Sequence, residues 1–431
     1  MIELRRRLRL SADNESGLTL IEVVVAMMIF MIISVGVVYT MLSVISVSRD
    51  SRARQVAQNL AAEEIDRARS VDDVTTLVSW STNTGTTDPN DATRLTGAVT
   101  LNGDKFTVKR EVQWVSNPDS ALSCGASGSS ENLRYKRVNV TVTWNGMRGL
   151  AVRSDTIINP KERVNDPLKG SILVSVKTAG GTGASGITVT TTPAITPAPL
   201  PTDLDGCTYI LKVTPGTYTV KISKTNYVDD TNNAAPSTSS VSVVAGQTTS
   251  LKYQYDLAAT YSVTYPTSAS PTSAVRPTSL ETSLINTYRR QVMTTASPYK
   301  MHPFTGGYVL VAGDVTKCPA VDPANWTETP TRELAPFDYY ATTPGGSVSV
   351  PVPMGSVKVS GQGGGTILAV SADPTGADHP KCTTKVTYTF TGDSATRNLA
   401  LPFGTWKLYK GTEEASKLFD TVMLDPRTKV S

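Results

Sequence analysis

Between Val23 and Ser48 the chain runs for 26 residues without a charged side chain. As a helix, this segment spans about 39 Å at 1.5 Å per residue, more than the hydrocarbon core of about 30 Å. A secretory signal peptide has an apolar region of about 7–15 residues and a small-residue cleavage site. Here the run is longer and ends in Arg49, Asp50 and Arg52, so it is expected to be retained as a single membrane helix. Arg5, Arg6, Arg7 and Arg9 lie before it. Under the positive-inside rule they hold the N-terminus in the cytoplasm and send the rest of the chain outside, N-in and C-out.

Glu22 sits at the start of this apolar run, after Leu18, Leu20 and Ile21 and before Val23 to Val25. A carboxylate at the bilayer centre costs about 2.5–3.5 kcal/mol on insertion scales, less near an interface, and demands a partner. The residues around it, Gly17-Leu18-Thr19-Leu20-Ile21-Glu22, resemble the cleavage and methylation motif of type IV prepilins and pseudopilins. That resemblance implies cleavage of the Gly17–Leu18 bond by a membrane-embedded prepilin peptidase and methylation of the new Leu18 terminus. It also implies roles for Thr19, Leu20, Ile21 and Glu22 in filament assembly. Family members more often carry Phe or Met where Leu18 stands.

Cleavage would create an α-amine with a reference pKa of about 7.7–8.0, a cation for the Glu22 carboxylate. Glu22 of one subunit can then pair with the Leu18 amine of its neighbour and set register. It can equally pair with its own Leu18 amine and stabilise the helix N-terminus through the dipole. Past the membrane, Ala53, Val56 or Ala57, Leu60, Ile65 or Glu64, and Ala68 fall near an i, i+3, i+4, i+7 stripe. No proline occurs before Pro89, so one helix of some fifty residues is expected to about Val71, with Gly36 as its weak point.

After the helix, Gly (31 residues) and Pro (26) cluster with Ser and Thr between short alternating apolar runs, which predicts strands joined by turns. Phe106, Val108, Val112 and Trp114 share one parity, as do Val138, Val140, Val142 and Trp144, so one face of each strand is core rather than an aromatic ligand platform. Asn145-Gly146 predicts a hairpin with a type I′ turn. From Lys169, six short runs predict a β-sandwich, and Thr214-Pro215-Gly216-Thr217-Tyr218-Thr219-Val220 resembles the turn and strand of prealbumin-like modules in collagen adhesins. Pro353-Met354-Gly355 and Pro402-Phe403-Gly404-Thr405-Trp406 echo it further on. Asp203-Leu204-Asp205-Gly206 reads as a plain turn, since two carboxylates fall short of the 6–8 oxygens calcium takes.

The expected class is α+β: a leader over 1–17, the pilin helix over 18–75, an antiparallel β head over 76–165, a prealbumin-like sandwich over 166–260 and a β-rich module over 261–431. The four cysteines, Cys124, Cys207, Cys318 and Cys382, lack C-x-x-C spacing and fall on the exported side, which favours disulfides over metal. Three pairings are open; Cys318 with Cys382 stays within the last module and leaves Cys124 with Cys207. With two histidines, His302 and His379, and no G-x-S-x-G, H-E-x-x-H or phosphate-binding glycine loop, no enzyme, metal or cofactor is expected. A net charge of +4 argues for no nucleic acid.

The resemblance implies a minor pilin or pseudopilin of a type IV pilus or type II secretion filament. Its partners would be the prepilin peptidase, other pilins, the inner-membrane assembly platform and the bilayer, with an extracellular ligand for adhesive outer modules. The alternative is a membrane-anchored surface adhesin that never enters a filament.

Overall fold

The computed structural model describes residues 19–85, 87–94, 97–117, 120–121, 133–265, 274–293, 295–329, 334, 338–374, 380–392 and 396–426. It opens with one helix, α1 (Leu20–Ser70), of 51 residues. Nothing interrupts it. Gly36 lies inside it with open space where a side chain would be, and no packing explains a glycine there.

The helix has two regimes, set by its side chains. From Leu20 to Val47 its large apolar residues are exposed all round, Phe30 at 73% and Tyr39 at 75%. From Ala53 onward it is amphipathic, burying Ala53, Ala57, Ala61, Glu64, Ile65 and Ala68. Three of those positions are alanines four apart, so the helix presents a nearly flat face against which a sheet can lie closely.

That sheet belongs to the first of two compact units, made of the described residues up to 112 together with 135–161. Its path is β1 (Trp80–Ser81), β3 (Asp104–Asn117), β5 (Tyr135–Trp144) and β6 (Val152–Ile158), with β2 (Val99–Leu101) and β4 (Ser120–Ala121) also on β3. Strand β3 pairs antiparallel with β1, β2 and β4, and β5 pairs antiparallel with β6. Phe106, Val108, Val112, Val138, Val140, Val142 and Trp144 pack into one core with the alanine face of α1. Period-two alternation supplies this: every inward residue of β5 from Val138 is separated by one residue.

Two expectations fail here for identifiable reasons. Asn145-Gly146 does not make a type I′ turn. Gly146 has φ 76° and Met147 N–H reaches Trp144 O at 3.3 Å, but Asn145 is not at positive φ, and β6 resumes only at Val152. The other Asn-Gly pair does make one: Asn102 (φ 53°) and Gly103 (φ 83°) join Leu101 to its partner Asp104. Trp114 also leaves the face it shares by parity with Phe106. Strand β3 enters the second unit at Gln113, and Trp114 packs there with Leu133, Val164 and Tyr209, its ring 6.4 Å from that of Tyr209.

The second unit, 113–134 with 162–431, begins with a sandwich. One sheet is ordered β11 (Tyr227–Asp229), β13 (Thr248–Leu257), β7 (Gly170–Lys177), β9 (Cys207–Val213). The other is β12 (Ser237–Val243), β10 (Gly216–Ser223), β8 (Thr188–Thr192). Ile172, Val174, Val176, Val189, Val220, Ile222, Val241 and Val243 fill the space between. The pairing of β13 with β7 is parallel, an exception to the antiparallel pattern. Asp203 serves as turn acceptor, taking the N–H of Asp205 (3.0 Å) and of Cys207 (2.9 Å) on Oδ1. Gly206 holds φ 77°, and a Cβ there would meet Val176 O at 2.0 Å, so only glycine closes this turn.

The rest comprises β14 (Ala259–Thr264), β15 (Thr282–Ile285), β16 (Arg290–Val292), β17 (Tyr299–Met301), β18 (Val309–Ala312) and β19 (Ser347–Pro351). It continues with β20 (Gly355–Ser360), β21 (Ile367–Ala372), β22 (Thr387–Phe390), β23 (Thr396–Leu401), β24 (Gly404–Lys410) and β25 (Lys417–Leu424). Their sheets are β17-β14-β19, β16-β15-β18, β20-β23 and β22-β21-β24-β25. Strand β18 is buried on both faces: Val309 and Val311 belong to one core, Leu310 and Ala312 to the other. The echoed motif has a shared geometry. Tyr218 donates to Thr214 O at 2.9 Å and the Trp406 indole to Pro402 O at 2.9 Å, each an aromatic two residues after glycine reaching four residues back.

His302 is buried beside β11: its backbone N–H donates to Asn232 Oδ1 at 2.9 Å and its Nδ1 lies 3.3 Å from Val228 O. Burial lowers its pKa below the ordinary value, although Asp256, Asp230 and Asp229 pull the other way. The folded state therefore binds less proton than the unfolded one below about pH 6.5. Stability is full above that pH and falls on acidification, by at most about 1.4 kcal/mol per pH unit for this single group. Denaturant titrations of the solubilised chain at pH 7.5 and pH 5.5 are expected to show this loss for the wild type and a smaller one for His302→Asn.

Candidate functional site

The N-terminal turn of α1 is built by its own first residues. Thr19 is the N-cap, with φ −73° and ψ 148°, and its hydroxyl accepts the N–H of Glu22 at 3.4 Å. The Glu22 carboxylate reaches back, taking the Thr19 N–H at 3.1 Å and its O–H at 2.9 Å, both on Oε2. This reciprocal arrangement is a capping box: it satisfies donors that the first turn of a helix leaves open. The Thr-x-x-Glu spacing carries that signal in the sequence. A cut between 17 and 18 would leave the Thr19 amide, and with it the box, intact. Gly17 and Leu18 lie outside the described residues.

Leu20 (83% exposed) and Ile21 (67%) have no cover from the rest of the described residues. Among the described residues, α1 is the one helix long and apolar enough to cross a membrane. Its cover must be lipid, or equivalent helices of other chains. Where the bare segment ends, the head's turns close around the helix. Arg49 pairs with Asp104 at 2.6 Å, Arg148 donates to Ser46 Oγ at 3.0 Å, and Arg54 donates to Leu150 O at 3.2 Å. Ser46, Arg49, Asp104 and Arg148 line a cavity of about 480 Å³ that also reaches Asp50, Lys105 and Trp144.

Deeper in the head, the helix is fastened by charge. Glu64 (1% exposed), Asp88 (2%) and Arg110 (1%) are buried together. Arg110 donates to Glu64 Oε1 (2.8 Å), to both Asp88 oxygens (3.0 and 2.8 Å), to Asn90 Oδ1 (2.9 Å) and to Val78 O (3.1 Å). Arg94 pairs with Glu64 and lies over the Trp80 ring at 4.4 Å. Two carboxylates thus face two guanidiniums in a closed neutral cluster, and the guanidinium fork of Arg110 is saturated. Lys136 adds donors to Thr75 O (2.9 Å) and Leu77 O (2.6 Å), anchoring the segment that leaves the helix.

The structure joins Cys318 to Cys382, with Cα atoms 4.0 Å apart. Cys207 is also disulfide-bonded, while Cys124 and His379 lie outside the described residues. Among the described residues no three His, Cys, Asp or Glu side chains are grouped to hold a metal.

The family model described as the prokaryotic N-terminal methylation motif matches residues 13–38, which include the capping box and the first half of the bare helix. The chain therefore carries a prepilin-type N-terminal methylation motif. No curated protein matches the chain. Solved structures that it resembles include the Bacillus anthracis TIE protein, at 12% identity over 77% of this chain and 70% of that one, with a TM-score of 0.19. BcpA, the major pilin subunit of Bacillus cereus, is 9% identical over 59% of this chain and 93% of its own, TM-score 0.17. A streptococcal ancillary pilin is 11% identical over 60% and 96%, TM-score 0.14. At such scores these likenesses carry no argument.

Replacing Arg110 by Ala leaves Glu64 and Asp88 buried without their main partner, an expected loss of about 3–5 kcal/mol. Chemical denaturation of the detergent-solubilised chain, followed by Trp80 and Trp144 fluorescence, measures it. A loss below about 1 kcal/mol would mean that the cluster does not hold the helix to the head.

Proposed function

We propose that this chain is a minor pilin or pseudopilin that enters a type IV pilus or a type II secretion-like filament by α1 and carries its β modules outward. The observation that carries this reading is the capped but uncovered apolar helix inside the matched methylation motif. Prepilin peptidase would cut the Gly17–Leu18 bond and the same enzyme would methylate Leu18. Before assembly the chain would sit N-in and C-out in the cytoplasmic membrane, with Arg5, Arg6, Arg7 and Arg9 on the inner side. The inner-membrane platform and other pilins would then draw it into the filament. The bulk of the modules beyond the head supports low copy number, and adhesion is the role that fits their display.

In this reading the capping box and the register contact share one carboxylate. The intrachain bonds converge on Oε2, so Oε1 can receive the Leu18 amine of a neighbouring subunit. The two roles separate by mutation. Thr19→Ala removes a cap worth about 0.5–2 kcal/mol and keeps the carboxylate. Glu22→Ala removes both the cap and the charge.

Both variants are expected to be cleaved. Filament incorporation, scored by immunoblot of sheared filaments, is expected to fall at least tenfold for Glu22→Ala and less than threefold for Thr19→Ala. Equal losses would leave Glu22 as a helix cap only. Normal incorporation of Glu22→Ala would remove the register role, and absence of the wild-type chain from filaments would favour a membrane-anchored adhesin.

A further inference from the structure

The β15–β16 hairpin ends in a turn held by Asn286, whose Oδ1 accepts the N–H of Tyr288 (2.9 Å) and of Arg289 (2.8 Å). Beside this turn lies a cavity of about 360 Å³ lined by Tyr288, Arg289, Arg290, Asp322 and Tyr339 among others. Its size lies within the range of small-molecule sites, roughly 300–1,000 Å³.

Its polar groups are incompletely used. Arg289 Nε and Nη2 are buried without a hydrogen-bond partner, and Arg289 forms no ion pair among the described residues. Buried donors left in this state are destabilising, so a native structure that keeps them calls for an explanation. Asp322, with its side chain 1% exposed, accepts the Ala324 N–H on Oδ1 at 3.0 Å. Its Oδ2 lies 3.2 Å from Arg290 Nη2 but forms no hydrogen bond. Among the described residues the wall thus holds a guanidinium with two unpartnered nitrogens, an acceptor with spare capacity and, from Arg289, Arg290 and Asp322, one net positive charge.

The rim is aromatic and open. Tyr288 is 81% exposed and Tyr339 53%. The Tyr288 ring stands edge-on to Phe304 at 5.4 Å, which fixes it at the mouth rather than leaving it to fold inward. A ligand that fits carries one anionic group for Arg289, hydroxyls that donate to Asp322 and apolar C–H faces for the two tyrosines. A phosphate has charge in excess of the wall and no apolar face; an acidic peptide lacks the ring hydroxyls.

We propose that this hairpin-tip pocket binds a carboxylate-bearing sugar ring of the uronic acid class, with Arg289 on the carboxylate, Asp322 on a hydroxyl and Tyr288 and Tyr339 on the ring faces. The use of such a site by the cell rests on the outward display proposed above. Its binding chemistry does not, because it is read on the purified chain and a failure of filament incorporation leaves it unchanged.

The test is titration calorimetry on the full detergent-solubilised chain with a galacturonic acid trisaccharide, the matching neutral galactose trisaccharide, tetraglutamate and inorganic phosphate. The uronate is expected to bind, with affinity falling as salt is raised, and the neutral sugar at least tenfold more weakly. Arg289→Met is expected to lose at least tenfold in uronate affinity while its melting temperature stays level or rises, since it removes buried unpartnered donors. Tyr288→Ala, at a position 81% exposed, is expected to weaken binding at least threefold with an unchanged melting temperature. No uronate binding, equal binding of the neutral sugar, or full binding by both variants would overturn the proposal. Tighter binding of tetraglutamate or phosphate than of the uronate would overturn the sugar assignment.

Discussion

Everything in this chain hangs from a helix whose first half has nothing of its own to rest on. The large apolar residues from Leu20 to Val47 are exposed on every side, and none of the described residues covers them. A bilayer can, and so can a bundle of the same helices, and neither needs a change in the helix itself. In the proposed function the chain is transferred between these two apolar surroundings. What must remain constant during that transfer is the helix start, the helix length and the grip of the head on the outer half.

The start is held by Thr19 and Glu22, which cap the helix from within and need no partner from lipid or protein. The grip is held by the alanine face and by the Glu64 cluster. Alanines supply close approach but little specificity along the helix, because positions 53, 57 and 61 are interchangeable in shape. A buried carboxylate that must meet Arg94 and Arg110 is not interchangeable with its neighbours. It fixes which turn of the helix faces which strand, the use of buried ionic groups best attested elsewhere. The outer modules have apolar cores of their own.

Much of this was legible from pattern alone. The helix ends within a residue of where charge, proline and periodicity place it, and the alternation of Val138, Val140 and Val142 reads out the head's inward face. The capping box was also written there, as Thr-x-x-Glu, beneath the motif in which those residues were first noticed. Glu64 stood ambiguously beside Ile65 on the helix stripe; both are buried. Arg110 shares the parity of Val108 and Val112, so a charge at an inward strand position was the signal of the buried cluster. Turn type was not legible, since two Asn-Gly pairs differ only in whether the flanking strands meet at once. The hairpin-tip pocket was not legible either, because Asn286 and Tyr339 are brought together by sheet topology and not by spacing.

The central claim, that this N-terminus is processed and used as a pilin's, is tested most directly by intact-mass and N-terminal peptide analysis of the membrane-extracted chain beside a Gly17→Val variant. The account predicts a mature chain that begins at Leu18, with the variant left uncut. An intact Met1 terminus in cells with active prepilin peptidase would contradict it.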